Sequence, residues 1–380
     1  MTVKGNAAGS RDTQPARNAG VPGQIVLALQ GGGALGAYQL GVYQAMHEAG
    51  IDPDWVIGTS IGAINAGIIA GNPPASRMDK LHAFWDRMQI GNKNTAAGLL
   101  PGFASVFANL HTVTRGIDGF FAPNPAALLG QHAVVGIERA AYYTTEPLRE
   151  TLSALIDFDY LATGATRLTV GAVNARSGEM RYFDSRRERF SVEHIMASGA
   201  LPPAFPAVRI DGEPYWDGGI YSNTPTEVVF EDNPRRDSVI FSVQLWNPGG
   251  PEPESLWQVA GRQKDIQYAS RAISHNLRQQ QLHRMRHIIR ELARQLPAEL
   301  REQKATKELT AWGCGTTMHM IHLVAPRLEC EDQTKDIDFT AQGVHARWQA
   351  GYANAQRAIT AAPWLEPVDP MDGVVMHEVA

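Results

Sequence analysis

Two buried strands, each followed by a glycine-containing loop and a helix, are the clearest pattern of apolar and polar positions in the chain. Residues 25–29 form an aliphatic run that ends at Gly31-Gly32-Gly33, as in a strand buried on both faces of a parallel sheet. Apolar positions then recur with helical spacing up to Gly50. Trp55–Ile57 predicts a second strand, and the small apolar residues 61–70 predict a tightly packed helix. Two successive strand–loop–helix units predict an open α/β sheet.

Later apolar runs predict further strands of this sheet at residues 168–173, 238–243 and 319–324. Segment 99–130 is apolar but is punctuated by Gly and Pro, and we interpret it as an insertion that is half cap and half loop. Residues 201–206 form a proline-rich turn that cannot be regular structure.

The two ends of the chain differ from this central part. Residues 1–23 have almost no large apolar side chains, so they cannot offset their ordering entropy and are predicted to be a disordered tail. They lack the apolar stretch of a secretory signal, and we expect a cytoplasmic protein. The predicted domains are 24–250, which includes the insertion, and a C-terminal extension at 251–380. The extension is expected to be largely helical, with one sheet strand near 319–324.

One long helix, or two in tandem, is predicted from Arg262 to Arg294. Its approximate apolar stripe consists of Ile266, Ala269, Ile273, Leu277, Met285, Ile289, Leu292 and Leu296. The other face is rich in arginine, and we expect His275, His283 and His287 on this solvated face. A solvated face or an oligomer contact is the favoured interpretation of the basic surface. Peripheral contact with an anionic membrane is the alternative.

Composition excludes some classes of function. The chain is 44% hydrophobic and 19% charged, as in an ordinary globular protein. Its formal net charge of -5 argues against a nucleic-acid partner, because no overall basic excess exists to neutralise phosphates. The two cysteines are too few for a disulfide framework, which fits a reducing compartment.

The glycine loop Gly31-Gly32-Gly33-Ala34-Leu35-Gly36 allows three interpretations. It could bind the pyrophosphate of a dinucleotide, its N–H groups could bind a developing oxyanion, or it could be a tight turn that lets a helix pack on the sheet. A dinucleotide site needs an acidic residue after the second strand. Asp52 and Asp54 precede that strand and would lie at the wrong end of the sheet, which counts against a nucleotide.

The segment Gly58-Thr59-Ser60-Ile61-Gly62 matches Gly-x-Ser-x-Gly between a strand and a helix. A serine on a sharp strand-to-helix turn needs flanking residues without side chains, and it then lies at the positive end of the following helix. A buried serine that caps its helix is the alternative, but capping would not require Gly58.

A serine nucleophile needs a base, and the histidines do not supply an obvious one. His319 and His322 lie on opposite faces of an apolar strand, where packing residues are more common than catalysts. Asp217 precedes two glycines that permit close approach to another loop. Partial burial against Tyr215 and Trp216 could raise its pKa enough for it to accept a proton. A simple hairpin turn is the alternative interpretation.

In their order and spacing, these three motifs resemble those of the bacterial patatin-like phospholipases, in the subset with a C-terminal extension. Residues 197–206 also resemble the segment that precedes the Asp-Gly-Gly turn in that family. The resemblance covers about residues 24–243. It implies a patatin-like three-layer α/β sandwich with a mostly parallel central sheet, followed by a helical C-terminal extension.

The resemblance also implies a Ser-Asp dyad without histidine. Ser60 is then the nucleophile, Asp217 is the general base and later the acid, and the N–H groups of Gly31, Gly32 and Gly33 form the oxyanion hole. No cofactor or metal is needed. The remaining glycines that support the motifs are Gly36, Gly58, Gly62, Gly218 and Gly219.

The predicted function is a serine acyl hydrolase that cleaves carboxylic esters of lipids through an acyl-enzyme. Many members of the family have Arg or Lys where this chain has Leu35, so the resemblance favours ester hydrolysis more strongly than phospholipid preference. A soluble esterase for short-chain or polymeric esters and a non-catalytic nucleotide-binding module are the alternatives. Segment 99–130 is the candidate acyl-chain pocket or lid, with a structural cap as the alternative.

Overall fold

The computed structural model of the chain describes residue 18 and residues 20–89, 114–328, 331 and 333–378, without the side chains of 270–273. Strands β1 to β11 of the described residues are Gln24–Leu29, Trp55–Gly58, Ala122–Pro123, Tyr143–Thr144, Arg167–Asn174, Met180–Asp184, Val208–Ile210, Glu213–Asp217, Ser238–Gln244, Met318–Val324 and Val374–Glu378. Helices α1 to α11 are Ala37–Glu48, Ile61–Ala70, Pro74–Met88, Glu146–Leu155, Phe158–Ala162, Val192–Ser198, Glu227–Phe230, Leu256–Gln295, Ala298–Arg301, Lys304–Thr310 and Ala341–Ala361. Short 3₁₀ turns occupy Gly33–Gly36, Pro125–Leu129, Gly218–Ile220 and Pro363–Leu365.

A mostly parallel sheet lies at the centre, in the order β11-β10-β9-β1-β2-β5-β8-β7 with β6 also paired to β5. The neighbours from β11 to β5 are parallel, whereas β6, β7 and β8 pair antiparallel. Side chains of β1 alternate between two cores, with Leu27 and Leu29 in the larger one and Val26 and Ala28 in the smaller one. Helices cover both faces, and the predicted three-layer sandwich is confirmed.

The edge of β5 explains how two distant motifs come together. Strand β6 occupies one edge of β5, so β2 and β8 share the other edge in succession. Strand β2 ends with Gly58 opposite Val170, and β8 ends with Asp217 opposite Ala172, two residues farther along β5. The turn after β2, which holds Ser60, therefore lies beside the end of β8.

The C-terminal extension is built into the same sheet. Strand β10 pairs with β9, and β11 adds a second strand beyond the one predicted near 319–324. The five residues of β11 are too few to form a recognisable pattern, and pairing with β10 gives them their extended form. Helix α11 packs on α1 at a glycine crossing, because a Cβ at Gly41 would overlap the Trp348 carbonyl and a Cβ at Gly351 would overlap the Tyr38 carbonyl.

Two predicted segments lie partly outside the described residues. Residues 1–17 and 19 of the predicted tail are outside, whereas Asn18 hydrogen-bonds Asp52 and Val21 packs against the larger core. Residues 99–113 of the predicted insertion are also outside. Its described part contains β3 and the 3₁₀ turn Pro125–Leu129.

Helix α8 turns a largely polar face toward the protein, and of the described side chains in the predicted apolar stripe only Ala269 is fully buried. Its buried positions are Asp265, Ala269, Asn276, Gln279, His283 and His287. The expectation that His283 and His287 are solvated is therefore wrong, and His275 is half-buried. The reason is that α8 lies over polar groups, since the ring nitrogens of His287 are 2.9 Å from the carbonyl oxygens of Thr316 and Pro370. None of the helices in the described ranges is apolar over a length that would cross a membrane.

Candidate active site

Ser60 lies on a strained turn between β2 and α2. Its φ of 56° is in the left-handed region, which is uncommon for a residue other than glycine. A Cβ at Gly58 would overlap the carbonyl of Gly62, and a Cβ at Gly62 would overlap the carbonyl of Leu29. The two glycines of the Ser60 motif are therefore required by the tightness of the turn and by its contact with β1.

Helix α6 anchors the turn from the other side. The backbone N–H of Ser60 is 3.1 Å from both the carbonyl oxygen and the Oγ of Ser198, the last residue of α6. Ser198 Oγ in turn donates to the carbonyl of Gly171 in β5 over 2.7 Å. Helix α2 begins immediately after Ser60, so its partial positive charge lies at this turn.

Asp217 is buried at the end of β8, accepts a hydrogen bond from the Gly219 N–H over 2.7 Å and lines the same cavity as Ser60. Burial raises its pKa from 3.8 to about 6, although the neighbouring Ser60 side chain and the Gly219 N–H act in the opposite direction. A Cβ at Gly218 would overlap the carbonyl of Gly171, so the first glycine after Asp217 allows this turn to approach β5.

The N–H groups of the glycine loop differ in their partners. Gly31 donates to the carbonyl of Asn223 over 3.2 Å, and Ala34 donates to the carbonyl of Asp336 over 2.8 Å. The N–H groups of Gly32 and Gly33 have no acceptor within the described ranges. Of the three predicted oxyanion donors, Gly32 and Gly33 are thus available, whereas Gly31 is already bonded to Asn223.

Two side chains fix the orientation of this loop. The carbonyl oxygen of Gly31 accepts from Asn223 Nδ2 over 3.1 Å and from Trp246 Nε1 over 2.8 Å. Because C=O and N–H point in opposite directions across a trans peptide, these bonds also set the direction of the Gly32 N–H. Gln30 Oε1 accepts from the backbone N–H of Trp246 over 3.1 Å and so holds Trp246 in place.

One cavity of about 230 Å³ joins Ser60, Asp217 and the glycine loop. Most of its wall is apolar, and the larger apolar and aromatic side chains that line it are Ile61, Ile64, Phe120, Phe121, Tyr143, Leu201, Phe205, Trp246, Tyr268, Ile337 and Phe339. Five of these rings form a cluster with centroids 4.8 to 6.2 Å apart, namely Phe120, Phe121, Tyr143, Phe205 and Phe339. The described part of the predicted insertion therefore contributes Phe120 and Phe121 to this wall.

The C-terminal extension supplies another part of the wall. Tyr268 comes from α8, and Asp336, Ile337 and Phe339 come from the segment that precedes α11. Lys264 Nζ lies 2.9 Å from both carboxylate oxygens of Asp336 and holds this segment against the glycine loop. The extension thus contacts both the cavity and the backbone of the loop.

The cavity wall has few charged groups. Among the residues that the structure describes, its lining contains no lysine, arginine or histidine, and the only acidic residues are Asp217 and Asp336. Leu35 is buried. No cluster of three or more His, Cys, Asp or Glu side chains in the described part of the chain could hold a metal ion.

The groups considered as alternatives have other partners. Asp54 accepts from the Ile25 N–H over 2.9 Å, and Asp52 pairs with the buried Arg77. Both are at the opposite end of the sheet from the glycine loop, as their order in the sequence indicated. His319 contacts His377 over 3.0 Å, and burial lowers the pKa of His322.

Several residues of the candidate site lie outside the three sequence motifs and were not predicted from them. Trp246 follows β9, and β9 is the parallel neighbour of β1, so the rule that sites form at the carboxyl ends of parallel strands could have indicated it. Asn223 follows the Asp217 turn by six residues. Tyr268, Asp336 and Phe339 come from the extension, and only the folded chain brings them to the cavity.

A family model for patatin-like phospholipase matches residues 27–230, and a second model, described as patatin phospholipase, matches residues 266–371. No curated protein matches the chain. VipD from Legionella pneumophila is similar in structure, at 14% identity and a TM-score of 0.39, over 93% of this chain and 72% of that one. The ExoU–SpcU complex from the type III secretion system of Pseudomonas aeruginosa gives 14% identity and a TM-score of 0.25, over 97% and 74%. Structural similarity this weak indicates nothing about function, so the assignment of the chain to a family depends on the two matches to family models.

Proposed function

Because the chain belongs to the patatin-like phospholipase family and is a hydrolase of that family, we propose that it cleaves carboxylic esters of lipids through an acyl-enzyme on Ser60. One observation carries the proposal: Ser60, on its strained turn, and the buried Asp217 line the same largely apolar cavity of about 230 Å³.

In the proposed acylation step, the Asp217 carboxylate accepts the proton of Ser60 as Oγ attacks the ester carbonyl. A pKa of about 6 suits this role, since the carboxylate is ionised at neutral pH and yet more basic than an exposed aspartate. The protonated Asp217 then donates to the departing alcohol. In deacylation it takes a proton from the water that attacks the acyl-enzyme, and it returns this proton to Ser60 Oγ as the Oγ–acyl bond breaks and the acid leaves.

The tetrahedral intermediate carries a negative charge on the former carbonyl oxygen. We assign its stabilisation to the N–H groups of Gly32 and Gly33, which have no acceptor among the described atoms. The positive end of α2 at Ser60 adds to the same effect. Asn223 and Trp246 act as positioning residues, because they bind the Gly31 carbonyl and not the substrate.

A second candidate is an esterase for neutral or polymeric esters. It is favoured by the absence of lysine and arginine from the described cavity lining and by the buried Leu35, because nothing there would pair with a phosphate group. Both candidates use the same residues and differ only in the substrate.

A fluorophosphonate probe tests the nucleophile, and esters of increasing chain length test the substrate. We expect labelling of the wild type, none of Ser60→Ala, and labelling slowed about 10²- to 10⁴-fold in Asp217→Asn, the usual contribution of a general base. Efficient labelling of Ser60→Ala would remove the assignment. Hydrolysis of phosphatidylglycerol and of a monoacylglycerol with the same acyl chain then separates the two candidates.

A further inference from the structure

Helix α8 exposes a line of large apolar side chains. Ile266, Leu277 and Ile288 recur every 11 residues, which is close to three helical turns, and their side chains are 47%, 55% and 41% exposed. Leu292, one turn beyond Ile288, is 59% exposed, and Leu256 at the start of the helix is 90% exposed. The polar face of the same helix is buried, so this line is an outward apolar surface and not part of the core.

The charge of α8 indicates which kind of partner would bind this surface. The helix has eight arginine and lysine residues and two acidic ones, in a chain whose formal net charge is -5. Arg278 is exposed beside the apolar line, and Arg284 is exposed there too but lies 3.6 Å from Asp372. Apolar side chains flanked by basic ones on one outward face are typical of a helix that lies in the interface of an anionic lipid bilayer.

A second copy of the chain is a poorer occupant. Two α8 helices packed on their apolar lines would bring the basic excess of both helices together, including Arg278 of each copy, and like charges repel. An anionic lipid surface attracts the same arginines and accepts the apolar side chains between them.

We propose that the outward face of α8, with Ile266, Leu277, Ile288 and Leu292 at its centre, docks the protein on anionic membranes. The surface presents the enzyme to its lipid substrate, so its purpose depends on the proposed function, but docking itself requires no catalysis. Tyr268, which lines the cavity, belongs to the same helix, so the docking element and the cavity wall are covalently continuous.

Vesicle sedimentation with the full-length Ser60→Ala protein tests docking apart from hydrolysis. We expect binding to vesicles of phosphatidylcholine with phosphatidylglycerol, weak binding to phosphatidylcholine alone, and loss of binding at high salt. Leu277→Gln/Ile288→Gln should lower the partition coefficient for the vesicles about tenfold or more, because two apolar side chains that would enter the bilayer are lost. Leu309→Gln/Leu365→Gln, which removes two leucines outside α8 that are 70% and 64% exposed, is the control and should bind as the parent does.

The outcomes separate the possible occupants. Unchanged binding of the α8 variant, or equal binding to both kinds of vesicle, would overturn the proposal. A wild-type dimer in sedimentation equilibrium that the α8 substitutions dissociate would assign the surface to a second copy instead.

With Ser60 restored, the α8 variant should hydrolyse a soluble short-chain ester at the wild-type rate, which also shows that it is folded. A Ser60 enzyme that binds vesicles but hydrolyses no ester would reject the proposed function and leave the docking surface intact.

Discussion

The indole N–H of Trp246 donates to the carbonyl oxygen of Gly31 over 2.8 Å. Trp246 follows β9 and Gly31 follows β1, so the bond joins the carboxyl ends of two neighbouring parallel strands. It lies outside every sequence motif, yet it fixes the peptide that carries the Gly32 N–H. The proposed oxyanion hole therefore depends on a residue more than 200 positions away in the chain.

Trp246→Phe should lower kcat with little change in KM. Phenylalanine keeps an aromatic ring beside Tyr268 but cannot donate to Gly31, so the Gly32 N–H is held less firmly where charge develops. Complete removal of an oxyanion donor lowers kcat about 10²- to 10³-fold. We expect kcat to fall about tenfold when a donor is only held less firmly. Steady-state kinetics on a soluble ester and the rate of fluorophosphonate labelling would both report it.

Trp364→Phe is the matched control. Trp364 is also a buried tryptophan, but its indole N–H has no acceptor within the described part of the chain. This substitution should leave kcat unchanged. If Trp246→Phe raised KM and left kcat intact, Trp246 would act only through its place in the cavity wall and not as a positioning residue.

The rate of acylation should follow the ionisation of Asp217. Only the carboxylate accepts the Ser60 proton, and burial raises the pKa of this group to about 6. The labelling rate should therefore rise with pH through about 6, reach a plateau above it, and be about tenfold below the plateau at one pH unit under the midpoint. A rate that is flat between pH 5 and 8, or a midpoint that a His283→Gln substitution moves, would assign the base to another group.

Asp217→Asn should stabilise the protein while inactivating it. The pKa of Asp217 is higher in the folded state than the ordinary 3.8, so ionising this buried group costs the folded state about 3 kcal/mol at pH 8. That cost disappears as pH falls below 4, where the folded and unfolded forms are both protonated. Asparagine avoids the cost, so urea unfolding should show the gain at pH 8 and none at pH 3.5.

Asp265→Asn is the contrasting control. Asp265 is equally buried but is paired with Lys335 and Arg327, each over 2.7 Å. Its loss leaves a buried ammonium group without its partner and should lower the free energy of unfolding by about 3 kcal/mol. If Asp217→Asn destabilised the protein at pH 8 as well, the ionised form of Asp217 would be better stabilised by its hydrogen bonds than its burial indicates.

Local sequence is enough to nominate the residues at the centre of the candidate site. The glycines around Ser60 are required by the backbone of the turn itself, and the strand order β1–β2 follows from two consecutive strand–loop–helix units. Asp217 was identified through its glycine turn. Its position beside Ser60 depends on β8 taking over the edge of β5 where β2 ends, which is a property of the folded sheet.

Helix α8 shows where the sequence pattern misleads. An apolar stripe normally predicts the buried face, because burial of apolar surface is the main stabilising contribution to folding. Here the inward face meets loop carbonyls and an ion cluster, so His287 and Asp265 are the residues that fit against it. Nothing within the helix indicates what surface it will pack on.

The extension's contribution to the cavity can be tested by narrowing it at Ile337. This residue lies in the segment before α11 and lines the cavity, but it belongs to none of the three sequence motifs. Ile337→Phe should lower kcat/KM for long-chain esters about tenfold or more and leave short-chain esters within about twofold, because overfilling a packed wall costs about 1–3 kcal/mol only for a substrate that needs the space. Leu365→Phe, on an exposed turn, controls for added size. An equal loss on all chain lengths would show that the substitution disturbs the glycine loop through Asp336, and an unchanged chain-length profile would place the acyl chain elsewhere in the cavity.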